Sequence, residues 1–178
     1  MSLYYTGVGS RDIPPEIYRV MVNIARTMAA KRYVLRSGGA QGSDSAFEAG
    51  CDFVGGEKEI WRAKESTSEA IEIASMYHGA WDLCNNYAKM LHGRNVFQVL
   101  GKDLKTPSEF VICYTHDGCI KHVDRTVKTG GTGTAISVAS DNKIPVINIQ
   151  RKKQCQAIRE WLKRPIEIVD LLKIAQII

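Results

Sequence analysis

Three glycine-rich turns constrain the fold of this chain more than any other feature: Gly7-Val8-Gly9-Ser10-Arg11, Ser37-Gly38-Gly39-Ala40-Gln41-Gly42-Ser43-Asp44 and Thr129-Gly130-Gly131-Thr132-Gly133-Thr134. Each follows a short apolar or β-branched run, or a loop leaving one, and each precedes a segment of helical periodicity. They read as strand-to-helix turns of an α/β sheet, which collect at one sheet edge. There glycine lets the backbone approach a ligand, and the N–H groups and positive dipole end of the following helix favour phosphate. Three such turns predict a site for a nucleotide or a phosphodiester.

The spacing of apolar residues fills in the elements between the turns. Leu3, Tyr4, Tyr5, Thr6 and Val8 form a first strand. Asp12 is placed to cap the next helix, Pro14 or Pro15 suits its first turn, and Ile17, Val20, Met21, Ile24 and Met28 make its core face. Tyr33, Val34 and Leu35 form a second strand. After the second glycine turn, Ser43 or Asp44 caps a helix to Gly50. A third strand falls at 58–62. Ser66 and Glu69, at capping-box spacing, open a long helical stretch with Ile73, Tyr77, Ala80, Trp81, Cys84 and Leu91 on one stripe and a break at Gly79. Phe110 to Tyr114 is a fourth strand, followed by an unusually long polar loop carrying Lys121, His122, Asp124, Arg125 and Lys128. A short helix with Ala135, Ile136 and Ala139 leads to a fifth strand through Val146, Ile147 and Ile149. Helices over about 153–178 close the chain. Alternating strands and helices predict a single α/β, Rossmann-like domain over 1–178 with its core at about 3–149. Its sheet has about five parallel strands, covered by helices on both faces.

Composition narrows the class. At 178 residues and 44% hydrophobic content the chain can bury one core. The first 89 residues carry 10 Lys/Arg against 11 Asp/Glu, and the remainder 14 against 8. The second half therefore presents either a solvated basic surface or one that meets polyanions. Five cysteines without a CxxC pair read as reduced thiols. With no signal-like opening and no apolar run long enough for a membrane span, a cytoplasmic protein without membrane contact is expected. His78, His92, His116 and His122 show no metal-binding spacing, so neither metal nor cofactor is expected.

The order of the three turns resembles the DprA and Lonely guy (LOG) superfamily of Rossmann-like proteins. Gly9-Ser10-Arg11 is similar to the GSR turn of DNA-processing protein A (DprA), and Ser37-Gly38-Gly39-Ala40 with Gly42 and Asp44 to its SGGAxGxD turn. Arg94-Asn95 matches an Arg-Asn pair of that family, and Gly130-Gly131-Thr132-Gly133-Thr134 resembles the GGxGT signature of the LOG phosphoribohydrolases. The likeness spans about Leu3 to Ile149 and is nearest to short DprA-like proteins encoded by phages. It implies nucleotide or single-stranded DNA binding at these residues, and a homodimer. LOG enzymes place a glutamate three residues after GGxGT and use it to release the base of a nucleoside monophosphate. Here that position is Ser137, a hydroxyl without a neighbouring base in the sequence, and the proline opening the LOG signature is Thr129. The expected function is therefore binding of a nucleotide or of the phosphates of single-stranded DNA. The alternatives are a LOG-type phosphoribohydrolase and a sensor or carrier of a nucleotide-derived ligand.

Among individual side chains, Arg11 is the first candidate for phosphate, unless it pairs with Asp12 or Glu16. Arg36 can point into the site or away from it. Asp44 either caps its turn and helix or accepts from a ligand hydroxyl, and Glu48 is the nearest spare carboxylate. Trp61 and Trp81 read as core. Tyr114 and His116 end a strand where they could stack on a base.

Overall fold

The first strand, β1 (Leu3–Gly9), has core on both faces, and the whole fold is arranged around it. The computed structural model describes residues 2–164 and 167–175. After β1 come α1 (Pro15–Ala30), β2 (Tyr33–Ser37), α2 (Ser43–Phe53), β3 (Lys58–Ile60), α3 (Ser68–Ser75), α4 (Asn86–Leu100) and β4 (Phe110–Tyr114). The rest is α5 (Gly133–Asp141), β5 (Val146–Asn148), α6 (Lys152–Lys163) and α7 (Ile168–Ile174). The strands form one all-parallel sheet in the order β3-β2-β1-β4-β5. The chain thus builds outward from β1 to β3, returns to the other side of β1, and builds outward again. The order reverses between β1 and β4, where Gly9 lies opposite Tyr114. Such a switch point opens a crevice beyond the carboxyl ends of the strands.

Alternation along the strands separates two core layers. Tyr5, Leu35, Phe110, Ile112 and Ile147 pack with α1, α2, α6 and α7, and the α1 face is the set Ile17, Val20, Met21, Ile24 and Met28. Val8, Val111, Cys113 and Val146 pack with α3, α4 and α5. Helices cover both faces, which suits an all-parallel sheet. At Gly7 a Cβ would lie 2.6 Å from Phe47 Cγ, so the missing side chain is what lets α2 settle onto β1. Among the described residues, no helix is long and apolar enough to cross a membrane.

Several local expectations are corrected. Asp12 does not cap α1; the helix starts after Pro14, with Pro15 supplying its fixed φ at the first position. The residue before α2 is Gly42, and Ser43 and Asp44 lie inside the first turn. Thr67, not Ser66, caps α3, accepting from the Ala70 N–H, while the Ser66 hydroxyl donates to the Met90 carbonyl. The long helical stretch is two helices joined by residues 76–85, which hold Gly79 and a short 3-10 turn at Trp81–Leu83. The closing helices match at Ile158, Trp161, Leu171, Leu172 and Ala175, all buried. The parts of that expectation over 165–166 and 176–178 lie outside the described residues.

Candidate functional site

At the switch point the first two glycine turns are laced together. The Ser43 N–H and the Ser43 hydroxyl both donate to the Ser10 carbonyl, at 3.0 and 2.9 Å. Gly42 makes this possible: its φ is +86° and a Cβ there would sit 2.2 Å from the Arg11 carbonyl oxygen. The Asp44 carboxylate, almost fully buried, accepts from the N–H groups of Gly38 and Ala40 at 3.2 and 3.3 Å. It therefore holds the second turn rather than capping the helix. Burial raises its carboxyl from 3.8 to about 6, against the opposing pull of Arg94 and of the Ala40, Gly38 and Gly9 N–H groups.

The third turn closes the site from the β4 side. Residues Val127–Thr132 form a 3-10 turn interrupted at Gly130, and Asn95 Nδ2 donates to the Gly131 carbonyl at 2.8 Å, tying this turn to α4. The approach loop is organised by Asp117, whose carboxylate accepts from the hydroxyls of Thr115, Thr126 and Thr129 and from the Cys119 N–H. Burial alone would raise this carboxyl, yet those four donors bring it down to about 2.

Between the turns lies a cleft of about 560 Å³. Gly9, Ser10, Arg11, Asp44, Arg94 and Asn95 line it on one side, and Lys128, Gly130, Gly131 and Thr132 on the other. Arg94 donates to the Gly38 carbonyl and to Asn95 Oδ1, both at 3.1 Å, and its Nε is buried without a partner. Arg11 is exposed and makes no hydrogen bond or ion pair with the described residues, so the pairing with Asp12 or Glu16 does not form. A second groove of about 430 Å³ shares Arg11, Ala40, Leu91 and Arg94 with the cleft. It adds Gly38, Gly39, Arg62, Lys64 and the exposed ring of Tyr87, and no carboxylate lines it.

Other expected site residues lie behind these surfaces. Ser37 is buried and donates to the Gly7 carbonyl. Gly133 packs against Arg125, and Thr134 is buried with its hydroxyl 2.7 Å from His92 Nδ1. Of the basic loop only Lys128 reaches the cleft. Arg125 is drawn inward, donating to the Tyr77 carbonyl and to Ser137 Oγ, and Lys121 is exposed away from the cleft. The cations lining the cleft are thus Arg11, Arg94 and Lys128. Arg36 points away, buried between Glu59, the Thr106 carbonyl and the Tyr4 ring, and Glu48 pairs with Lys58 outside the cleft. Tyr114 is core, while His116 lines the cleft and is hydrogen-bonded to the Ser10 hydroxyl. Trp61 packs on Phe97, and Trp81 lies beside His78 and His92.

Ser137 has a neighbour that the sequence does not reveal: His122 Nδ1 is 2.8 Å from its hydroxyl, which also meets the Gly133 carbonyl and Arg125. None of these residues is part of the cleft lining. Arg62, Lys64, Tyr87 and His92 were also missed. Arg62 follows the end of β3, a position that a strand-end reading could have flagged. Burial first, then His78, Arg125 and Arg94, lower His92 to about 4, so its ring is neutral.

Comparison with family models, with curated proteins and with solved structures finds no match to this chain.

Proposed function

We propose that this protein binds the phosphates of a nucleotide or of a single-stranded nucleic acid, as a member of the DprA and LOG-like group of Rossmann-like proteins. The observation that carries the reading is Arg11, an exposed guanidinium without a protein partner at the rim of a cleft framed by three glycine turns. A planar fork of donors in that position suits a phosphate bidentately. Arg94 adds a second cation, and the adjoining groove adds Arg62 and Lys64. Tyr87 offers a face on which a base can stack. Asp12 and Asp44 are the carboxylates of the cleft lining, and Asp44 is buried with its pKa raised to about 6, so its opposition to an anion is relieved as pH falls through that value.

Titration of the protein with a fluorescent oligothymidylate, and competition by AMP, tests this directly. Saturable binding that AMP displaces is expected. Absence of binding by both ligands, even at low salt, overturns the reading.

A further inference from the structure

Three ligand-bearing side chains outside the glycine turns converge on one point. His78 follows α3, Cys84 follows the 3-10 turn, and His92 lies on α4. Their donor atoms all lie within 4.8 Å of one another, and each residue is half-buried. Cys84 Sγ is 3.8 Å from His78 Nδ1 and 3.9 Å from its Nε2. The two imidazole centroids are 4.5 Å apart. Tetrahedral zinc, with Zn–N near 2.0–2.1 Å and Zn–S near 2.3 Å, needs neighbouring donors about 3.3–3.6 Å apart. Small side-chain rotations would close the set to that spacing.

We propose that His78, Cys84 and His92 form a transition-metal site, suited to Zn²⁺, with a fourth position left for water or another ligand. One thiolate and two imidazoles are a borderline-soft donor set, which Mg²⁺ and Ca²⁺ do not favour. The surroundings also fit. His92 Nδ1 is 2.7 Å from the Thr134 hydroxyl, which is fixed because Thr134 is fully buried at the start of α5; the tautomer protonated on Nδ1 would donate to it and leave the Nε2 lone pair for the ion. The Trp81 ring lies 6.0 Å from each imidazole and shields the site on one side. If His78 binds through Nδ1, it gives up a long 3.3 Å hydrogen bond from the Ala80 N–H. On ligation the Cys84 thiol releases its proton to solvent as the S–metal bond forms.

The ion would fasten the 76–85 connection onto α4 and, through Thr134, onto the third glycine turn. His92 also lines the cleft, but none of the three ligands contacts Arg11 or the second turn, and metal binding is read with no nucleotide present.

The test uses reduced, chelator-stripped protein, titrated with Zn²⁺ against a chromophoric chelator and with Co²⁺ followed by absorbance. One ion per chain and a thiolate-to-cobalt charge-transfer band are expected. The band should vanish in Cys84→Ser, and Zn²⁺ affinity should fall about 100-fold or more in His78→Ala and His92→Ala. Cys155→Ser, on α6, should bind as the parent does. Zn²⁺ should slow alkylation of Cys84 and leave that of Cys155 unchanged. Circular dichroism identifies any variant that has not folded, and the exposed connection carrying His78 and Cys84 provides two variants that keep the core intact. No charge-transfer band, a band that persists in Cys84→Ser, or equal alkylation rates with and without Zn²⁺ would overturn the site.

Discussion

Arg11 and Asp44 face the same cleft with opposite charge, and each gives a separate experiment. Replacing Arg11 by Ala removes a charged donor without disturbing packing, because the side chain is exposed and unpartnered. The loss expected in oligonucleotide affinity is about 1.5–3 kcal/mol, with an unchanged melting temperature; equal calorimetric affinity of variant and parent would remove Arg11 from the site. Asp44, raised to about 6, is ionised at pH 7.5 and mostly protonated at pH 5. Its ionised form is disfavoured by burial, so its contribution to the fold is fullest below 3.8 and is lost as pH rises through about 6. The ionised form also opposes a bound phosphate. Affinity for an oligonucleotide, whose diester phosphates do not titrate here, should therefore rise as pH falls from 7.5 to 5. Asp44→Asn should flatten that rise. A pH profile identical in parent and variant would assign the effect elsewhere. Ser137 makes the third residue-scale prediction. Breaking an N-glycosidic bond needs a carboxylate to stabilise the cation-like sugar and a base to activate water, whereas this hydroxyl on α5 is buried outside the cleft lining and held by Gly133, His122 and Arg125. Incubation with AMP, CMP, GMP and UMP should release no free base by chromatography; multiple turnover lost in Asp44→Asn would name that carboxylate as the catalytic group.

Elements were legible in the sequence wherever their signal is local. The face Ile17, Val20, Met21, Ile24 and Met28 specifies α1 because 3.6-residue periodicity is written within the helix itself, and Phe110–Tyr114 reads as a strand for the same reason. The connection 76–85 kept an apolar stripe through Tyr77, Ala80, Trp81 and Cys84 that imitates a helix. In the fold Tyr77 and Trp81 pack onto the α4 and α5 layer through irregular backbone instead, and Ala80 is exposed. The 116–128 loop hid its order because Asp117 gathers Thr115, Thr126 and Thr129, donors up to 12 residues away from it with no periodic mark. That carboxylate should therefore matter to stability. Its pKa is depressed from 3.8 to about 2, so its contribution is present above 3.8 and is lost as pH falls through about 2. A shift of this size corresponds to over 2 kcal/mol at about 1.4 kcal/mol per unit, and solvent screening in a partly exposed loop reduces it to about 1 kcal/mol. Urea unfolding of Asp117→Ala at pH 7 should show a loss near that size, shrinking toward pH 2. A loss independent of pH would mean that packing, not charge, is what the residue supplies.

At the scale of the molecule, the sequence order of the turns was enough to predict the parallel sheet, and the switch point between β1 and β4 explains why Gly9, the Asp44 turn and the Gly130 turn meet. Charge was less legible. The basic excess of the second half suggested the 121–128 loop as the anion-facing surface, yet Arg125 is turned inward, and Lys128 alone of the three basic residues Lys121, Arg125 and Lys128 joins Arg11, Arg62, Lys64 and Arg94 along the cleft and the second groove. Because the cleft and the second groove share Arg11 and Arg94, they offer a continuous track longer than one nucleotide needs. An oligonucleotide should therefore bind more tightly than a mononucleotide, with a logarithmic salt slope steeper by roughly 0.7 for each further phosphate neutralised. Sequence preference should be small, since contacts to phosphate carry no base information. Charge reversal at Arg62 and Lys64 should erase the gain with length and the added slope while leaving AMP affinity unchanged. The reversal at Lys121, outside both grooves, should do neither. If AMP and an oligonucleotide instead share one affinity and one salt slope, the second groove takes no part, and the ligand is a single nucleotide seated between Arg11 and the Gly130 turn.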